Sequence, residues 1–261
     1  MKWFRSIIIF LLIITGCTLQ TEEEPKSFLR IINETTKSTV AIKIDVDQKE
    51  YKKIQLLAQE NEENWVIEYD QDLQFLIEQY RLYDEYSIGS GLIISKSGLV
   101  ITCSHVITET KNVKGQRYAE FANGKRYKLS NFIVNPEVDL AIGKIEEENI
   151  KFIPLKLETT RWPYRGEEVI LMGSSGPIKY GFIEGKVTWS YMETTIEDRK
   201  FLTISISGAV IPGFSGGPVV NKYGRLIGIT VAQFERGVFS FAIPAKSIKE
   251  LINTTQQNRE K

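Results

Sequence analysis

The chain has 261 residues, 42% hydrophobic, 11% aromatic and 25% charged, which is enough apolar material for a folded core and excludes a disordered chain. Thirty-three basic residues balance thirty-three acidic ones, so there is no broad basic surface and nucleic acid is excluded as a partner. With a single histidine in the sequence, an imidazole-based metal centre is not expected, nor is any cofactor.

Residues 1–16 read as a processing signal. Lys2 and Arg5 form a positive head, and Ile7 to Ile14 is an unbroken apolar run of eight. Eight residues are too few to cross a bilayer, which takes about 20. The run ends in Ile-Thr-Gly-Cys, which resembles the lipobox of bacterial lipoproteins. That resemblance implies a lipid on Cys17 and a protein held to a membrane of the cell envelope, facing the extracytoplasmic space; a cleaved secretory signal with an incidental cysteine is the alternative. The polar stretch 17–26, with Glu22, Glu23, Glu24 and Pro25, reads as a tether. Its nine residues after Cys17 reach about 30 Å when extended. With Cys17 consumed by lipid, Cys103 stands alone and no intramolecular disulfide forms. Its place in a strand-like run reads as a small core residue rather than a catalytic thiol.

The folded domain is expected over 27–253. Residues 38–46 alternate as a strand, with Val40, Ile42 and Ile44 on one face. Residues 47–86 break the pattern: eleven acids against four bases, no glycine or proline, and Tyr69, Leu73, Leu76, Tyr80 and Tyr83 at helical spacing predict an acidic helical insertion. It is either a solvated helix packed on the fold or a partner-binding arm. Beyond Gly89 come two short β runs joined by Lys96-Ser97-Gly98. More follow at 117–122 and 125–134, then D-L-A-I-G-K-I, E-E-V-I-L-M-G, I-E-G-K-V-T-W-S, F-L-T-I-S-I, G-P-V-V-N and L-I-G-I-T-V-A. This density of short strands predicts an all-β sandwich or barrel pair. Residues 245–253 carry Ile248, Leu251 and Ile252 on one helical face, a closing helix followed by a tail at 254–261.

His105 ends an apolar strand in T-C-S-H-V, Asp139 precedes L-A-I, and Ser215 is the centre of P-G-F-S-G-G-P, in the order His, Asp, Ser. These segments, with G-S-G-L-I-I-S-K-S-G-L-V-I-T before them and F-A-I-P after, resemble the successive signatures of the HtrA/Deg branch of trypsin-like serine proteases over roughly residues 35–253. The resemblance implies two six-stranded antiparallel β-barrels and a serine endopeptidase acting on polypeptide substrates, with self-association left open. It also implies a catalytic triad. Ser215 is the nucleophile, His105 takes its proton and returns it to the leaving amine, and Asp139 fixes the imidazole tautomer. Gly213 and Ser215 are implied as the backbone donors to the oxyanion. Thr230, Val231, Ala232 and Gln233 are implied as the specificity-pocket wall, with Pro212 to Phe214 opposite. No acid lies there, so a small or medium aliphatic residue before the scissile bond is expected rather than Lys or Arg.

Two departures from the family pattern bear on function. Phe214 stands where Asn or Asp is usual before the serine, which puts a preformed oxyanion hole in question and opens an alternative, a catalytically impaired pseudoprotease that binds a partner. Only eight residues follow Asn253, so the PDZ domain common in the family is not expected.

Overall fold

The computed structural model describes residues 23–46, 49, 52, 87–108, 115–175, 178–196, 199–233 and 239–257. The signal, the lipobox cysteine and the start of the tether lie outside the described residues, as does the acidic insertion apart from Lys49 and Lys52.

Alternation of apolar residues with frequent turns drives twelve strands into two closed antiparallel barrels. The first contains β1 (Thr39–Val46), β2 (Ser87–Ile93), β3 (Leu99–Cys103), β4 (Gly115–Phe121), β5 (Arg126–Asn135) and β6 (Leu140–Ile145), closed in the order β1-β2-β3-β6-β5-β4. The second contains β7 (Glu168–Ser175), β8 (Ile178–Ile196), β9 (Arg199–Ser207), β10 (Pro218–Asn221), β11 (Leu226–Gln233) and β12 (Phe239–Pro244), closed in the order β10-β11-β12-β9-β8-β7. Val40, Ile42 and Ile44 fill the first barrel as their alternation predicts. The β2–β3 hairpin turns at Lys96-Ser97-Gly98, where Ile94 N–H donates to Leu99 O at 2.9 Å.

The α-helices with described ranges are α1 (Phe28–Ser38), the one-turn α2 (Ser104–Thr108) and α3 (Ala245–Gln257), and Lys49 and Lys52 are helical as well. The sequence reading has no counterpart of α1, whose apolar residues crowd its first half and whose second half is threonine-rich. It is held by tertiary contacts: Ile31, Thr35 and Ser38 are buried, and Thr39 Oγ1 donates to Thr35 O at 2.9 Å. Helix α3 runs to Gln257, four residues into the segment read as a tail, and buries Ile248 and Leu251.

What positions the site is the junction between barrels. Strand β2 of the first lies against β7 of the second, and the 211–217 loop of the second reaches back over β2.

Candidate active site

The local sequence sets each candidate side chain. In N-P-E-V-D, Asn135 caps a short 3₁₀ turn by accepting from Glu137 N–H, Pro136 opens the turn, and Asp139 closes it in the left-handed region at φ 49°, ψ 44°. A non-glycine residue held there is strained backbone, and it is used to aim a carboxylate. Strand β3 runs straight into α2, so His105 is fixed by paired backbone on one side and a helical turn on the other.

The two meet closely. His105 Nδ1 lies 2.7 Å from Asp139 Oδ2, and Asp139 Oδ1 accepts from His105 N–H at 3.0 Å and from Ser104 Oγ at 2.7 Å. Asp139 is 1% exposed, while the histidine keeps an open edge. Burial pushes the Asp139 carboxyl up, but the hydrogen bonds from His105 and Ser104 outweigh it and hold the group below the usual carboxylate range. The site therefore contains a charged carboxylate that orients the imidazole and stabilises its protonated form.

Ser215 belongs to the 211–217 loop of the second barrel, which meets β2 next to the histidine helix. Its carbonyl accepts from Ser90 N–H on β2 at 2.8 Å, and its hydroxyl lies 3.4 Å from Val231 O. A Cβ placed on Gly89 would lie 3.3 Å from Ser215 O and 2.8 Å from the side chain of Val106, the residue after His105. The serine loop and the histidine helix thus converge on the same point of β2.

Pro212 and Gly213 form the centre of a type II turn, with Phe214 N–H donating to Ile211 O at 3.1 Å and Gly213 at φ 94°. Only glycine takes that second position without strain. Among the described residues neither the Gly213 nor the Ser215 N–H donates to a protein acceptor, leaving both available to a developing oxyanion. Gly216, at φ 82°, lets the loop press on the first barrel, since a Cβ there would lie 2.2 Å from Ser90 O.

Phe214 departs from its sequence-based placement. Its side chain is 2% exposed, turned away from the groove into the core of the second barrel, where Gly173 makes room: a Cβ on Gly173 would lie 2.6 Å from Phe214 Cγ. The ring anchors the loop instead of facing substrate. Thr230 and Val231 are also buried, and they reach the groove through backbone: Thr230 bonds with Gly216 and Gly217, and Val231 O meets the serine hydroxyl. Ala232 and Gln233 continue β11 beside Phe241 and Ser240; their side chains lie outside the described residues.

Two residues that the sequence reading passed over are part of the arrangement. Ser104 steadies Asp139. Ser90, fully buried, ties the barrels together at the catalytic loop: its hydroxyl donates to Gly213 O at 2.6 Å and accepts from Ser174 N–H at 2.9 Å, and its carbonyl accepts from Thr102 Oγ1 at 2.7 Å. The signal for Ser90 was the hydroxyl between two glycines in G-S-G, which reads as a strand residue until the second barrel is placed over it.

Cys103 is a buried free thiol, 3.2 Å from Thr230 O. With His105 and Asp139 it brings sulfur, nitrogen and oxygen donors within 4.8 Å of one another, a set that zinc accepts. A metal ion there would have to displace the 2.7 Å Nδ1–Oδ2 contact on which the proton-handling geometry depends.

The family described as Trypsin-like peptidase domain matches residues 89–229, and the chain belongs to it. Its relatives are of the HtrA type: it is 31% identical over 191 residues to Serine protease HTRA4 of Homo sapiens, covering 71% of this chain and 38% of that protein. It is 30% identical over 180 residues to the mitochondrial Serine protease HTRA2 of Drosophila virilis, covering 67% and 41%. The chain spans about two fifths of the length of these curated relatives. The solved structure of HtrA-type protease AlgW with tripeptide superposes with a TM-score of 0.64 at 20% identity, over 88% of this chain and 63% of that one, and shares the fold.

Proposed function

We propose that this chain is a serine endopeptidase, tethered to a membrane by lipid on Cys17, that cleaves exposed or unfolded segments of polypeptides outside the cytoplasm. The observation that carries the catalytic part is the His105–Asp139 contact at 2.7 Å, with His105 in a helix that meets β2 at the same residue, Gly89, as a serine loop whose turn leaves two N–H groups available. In the proposed cycle Ser215 Oγ attacks the scissile carbonyl as His105 accepts its proton. The oxyanion is held by Gly213 and Ser215 N–H, and His105 then protonates the leaving amine. Asp139 stays charged throughout. The burial of Phe214 against Gly173 in the core of the second barrel favours the protease over the pseudoprotease alternative.

The tether reading is supported by the basic head, the short apolar run and the lipobox resemblance. The absence of acid among residues 230–233 supports a small or medium aliphatic preference before the scissile bond.

A fluorophosphonate probe tests the catalytic part: the wild-type chain takes label and Ser215→Ala does not. Absence of label on folded wild-type protein contradicts it. Membrane fractionation tests the anchor, with Cys17→Ser expected to leave the membrane fraction.

A further inference from the structure

The outer face of the second barrel carries a cluster of aromatic side chains that catalysis does not use. Trp189 and Tyr191 point outward from β8 and are 49% and 57% exposed, and Tyr164 is 52% exposed. Trp162 meets Tyr191 edge to face, with ring centres 5.0 Å apart. Cations sit on these rings: Arg165 lies 4.8 Å from the centre of Trp189, Lys246 Nζ 4.5 Å from that of Trp162, and Arg161 5.4 Å from that of Tyr164. Aromatic side chains exposed together on one face mark an interaction site.

We infer that this face rests in the headgroup layer of the bilayer to which the chain is tethered, an inference that depends on the lipid-anchor reading proposed above. Tryptophan and tyrosine paired with lysine and arginine are the residues that settle at that depth, rings among the acyl-chain ends and cations among the phosphates. The course of the chain agrees. The tether ends at Lys26, whose N–H donates to Lys222 O at 3.0 Å, and Lys26 shares a groove with Lys186, three residues before Trp189 on β8. Glu23 also pairs with Arg225, so about five residues, reaching about 17 Å when extended, are left between this side of the barrel and Cys17, which keeps the aromatic face within reach of the membrane. One acylated residue together with such a surface makes two attachments, which fixes orientation as well as distance.

The test uses the full lipidated chain reconstituted in vesicles of phosphatidylcholine and phosphatidylglycerol carrying brominated acyl chains, which quench tryptophan on contact. Tryptophan emission is expected to fall, and Trp189→Phe to lose a measurable share of that quenching while still sedimenting with vesicles, the remainder coming from Trp162 on the same face. Equal, weak quenching in both proteins, with sedimentation intact, overturns the docking face and leaves the anchor standing. Protein left in the supernatant overturns both. Burial of Trp189 against iodide in detergent, together with the mass of a multimer, overturns docking in favour of a second copy of this chain. Fluorophosphonate labelling of Trp189→Phe at the wild-type rate shows that the variant is folded.

Discussion

Replacing Ser90 by alanine isolates the coupling between the barrels. The hydroxyl serves two backbone groups at once, Gly213 O at 2.6 Å and Ser174 N–H at 2.9 Å, in a residue with no solvent exposure. Stranding two buried groups costs about 1 to 3 kcal/mol each, so the variant loses about 2 to 6 kcal/mol in stability. The effect on turnover is separate. Gly213 O belongs to the peptide that follows the Gly213 N–H, and freeing it lets the turn drift, degrading one of two oxyanion donors. Losing such a donor outright costs about 10² to 10³ in kcat, so a misaligned one is expected to cost about 10 to 100-fold. KM should change little, because the hole binds the transition state more strongly than the substrate. The assay is steady-state cleavage of an unfolded protein or generic peptide below the melting range of the variant, with the fluorophosphonate labelling rate alongside. A variant that is less stable yet turns over at the wild-type kcat would refute the positioning role and leave Ser90 a purely structural residue.

Other perturbations follow from the same geometry. Asp139→Asn should lower kcat by about 10⁴-fold at neutral pH, measured on the same substrate, because the imidazole loses the carboxylate that sets its tautomer. The Asp139 carboxyl is held below its ordinary value, so the unfolded chain takes up the proton first as pH falls. Its stabilising contribution is therefore complete above the unfolded value of about 3.9 and is lost as pH drops through the lower folded value. Urea denaturation at stepped pH should show this loss in wild type and its absence in Asp139→Asn. Phe214→Ala empties a core position of the second barrel and should cost about 3 to 5 kcal/mol by chemical denaturation, with turnover falling as the loop loses its anchor. Cys103→Ala should cost on the order of 1 kcal/mol and leave kcat within a few-fold of wild type, as fits a core thiol; loss of activity on its removal would revive the catalytic-thiol reading.

The architecture was legible because its signal is local. Alternation in T-V-A-I-K-I-D-V and the turn at Lys96-Ser97-Gly98 specify strands and hairpins without reference to the rest of the chain, and resemblance supplied their grouping into two barrels. Helix α1 was not legible, because its Thr35 and Ser38 are buried by tertiary packing that no periodicity records. In the site, His105 and Asp139 were named from their contexts and are found in contact. Phe214 was misplaced for a specific reason. Sequence shows a bulky ring beside the serine, but whether it faces the groove or the core depends on the space at Gly173, forty-one residues earlier on β7. Ser90 escaped notice for the same reason, since its partners Gly213 and Ser174 belong to the other barrel.

The most direct measurement is to treat the folded full chain with a fluorophosphonate at neutral pH and locate the adduct by mass spectrometry. A single adduct on Ser215, lost in Ser215→Ala and formed at a rate lowered by orders of magnitude in His105→Ala, is the predicted result. An unmodified Ser215, or one that reacts equally fast without the imidazole, contradicts the account.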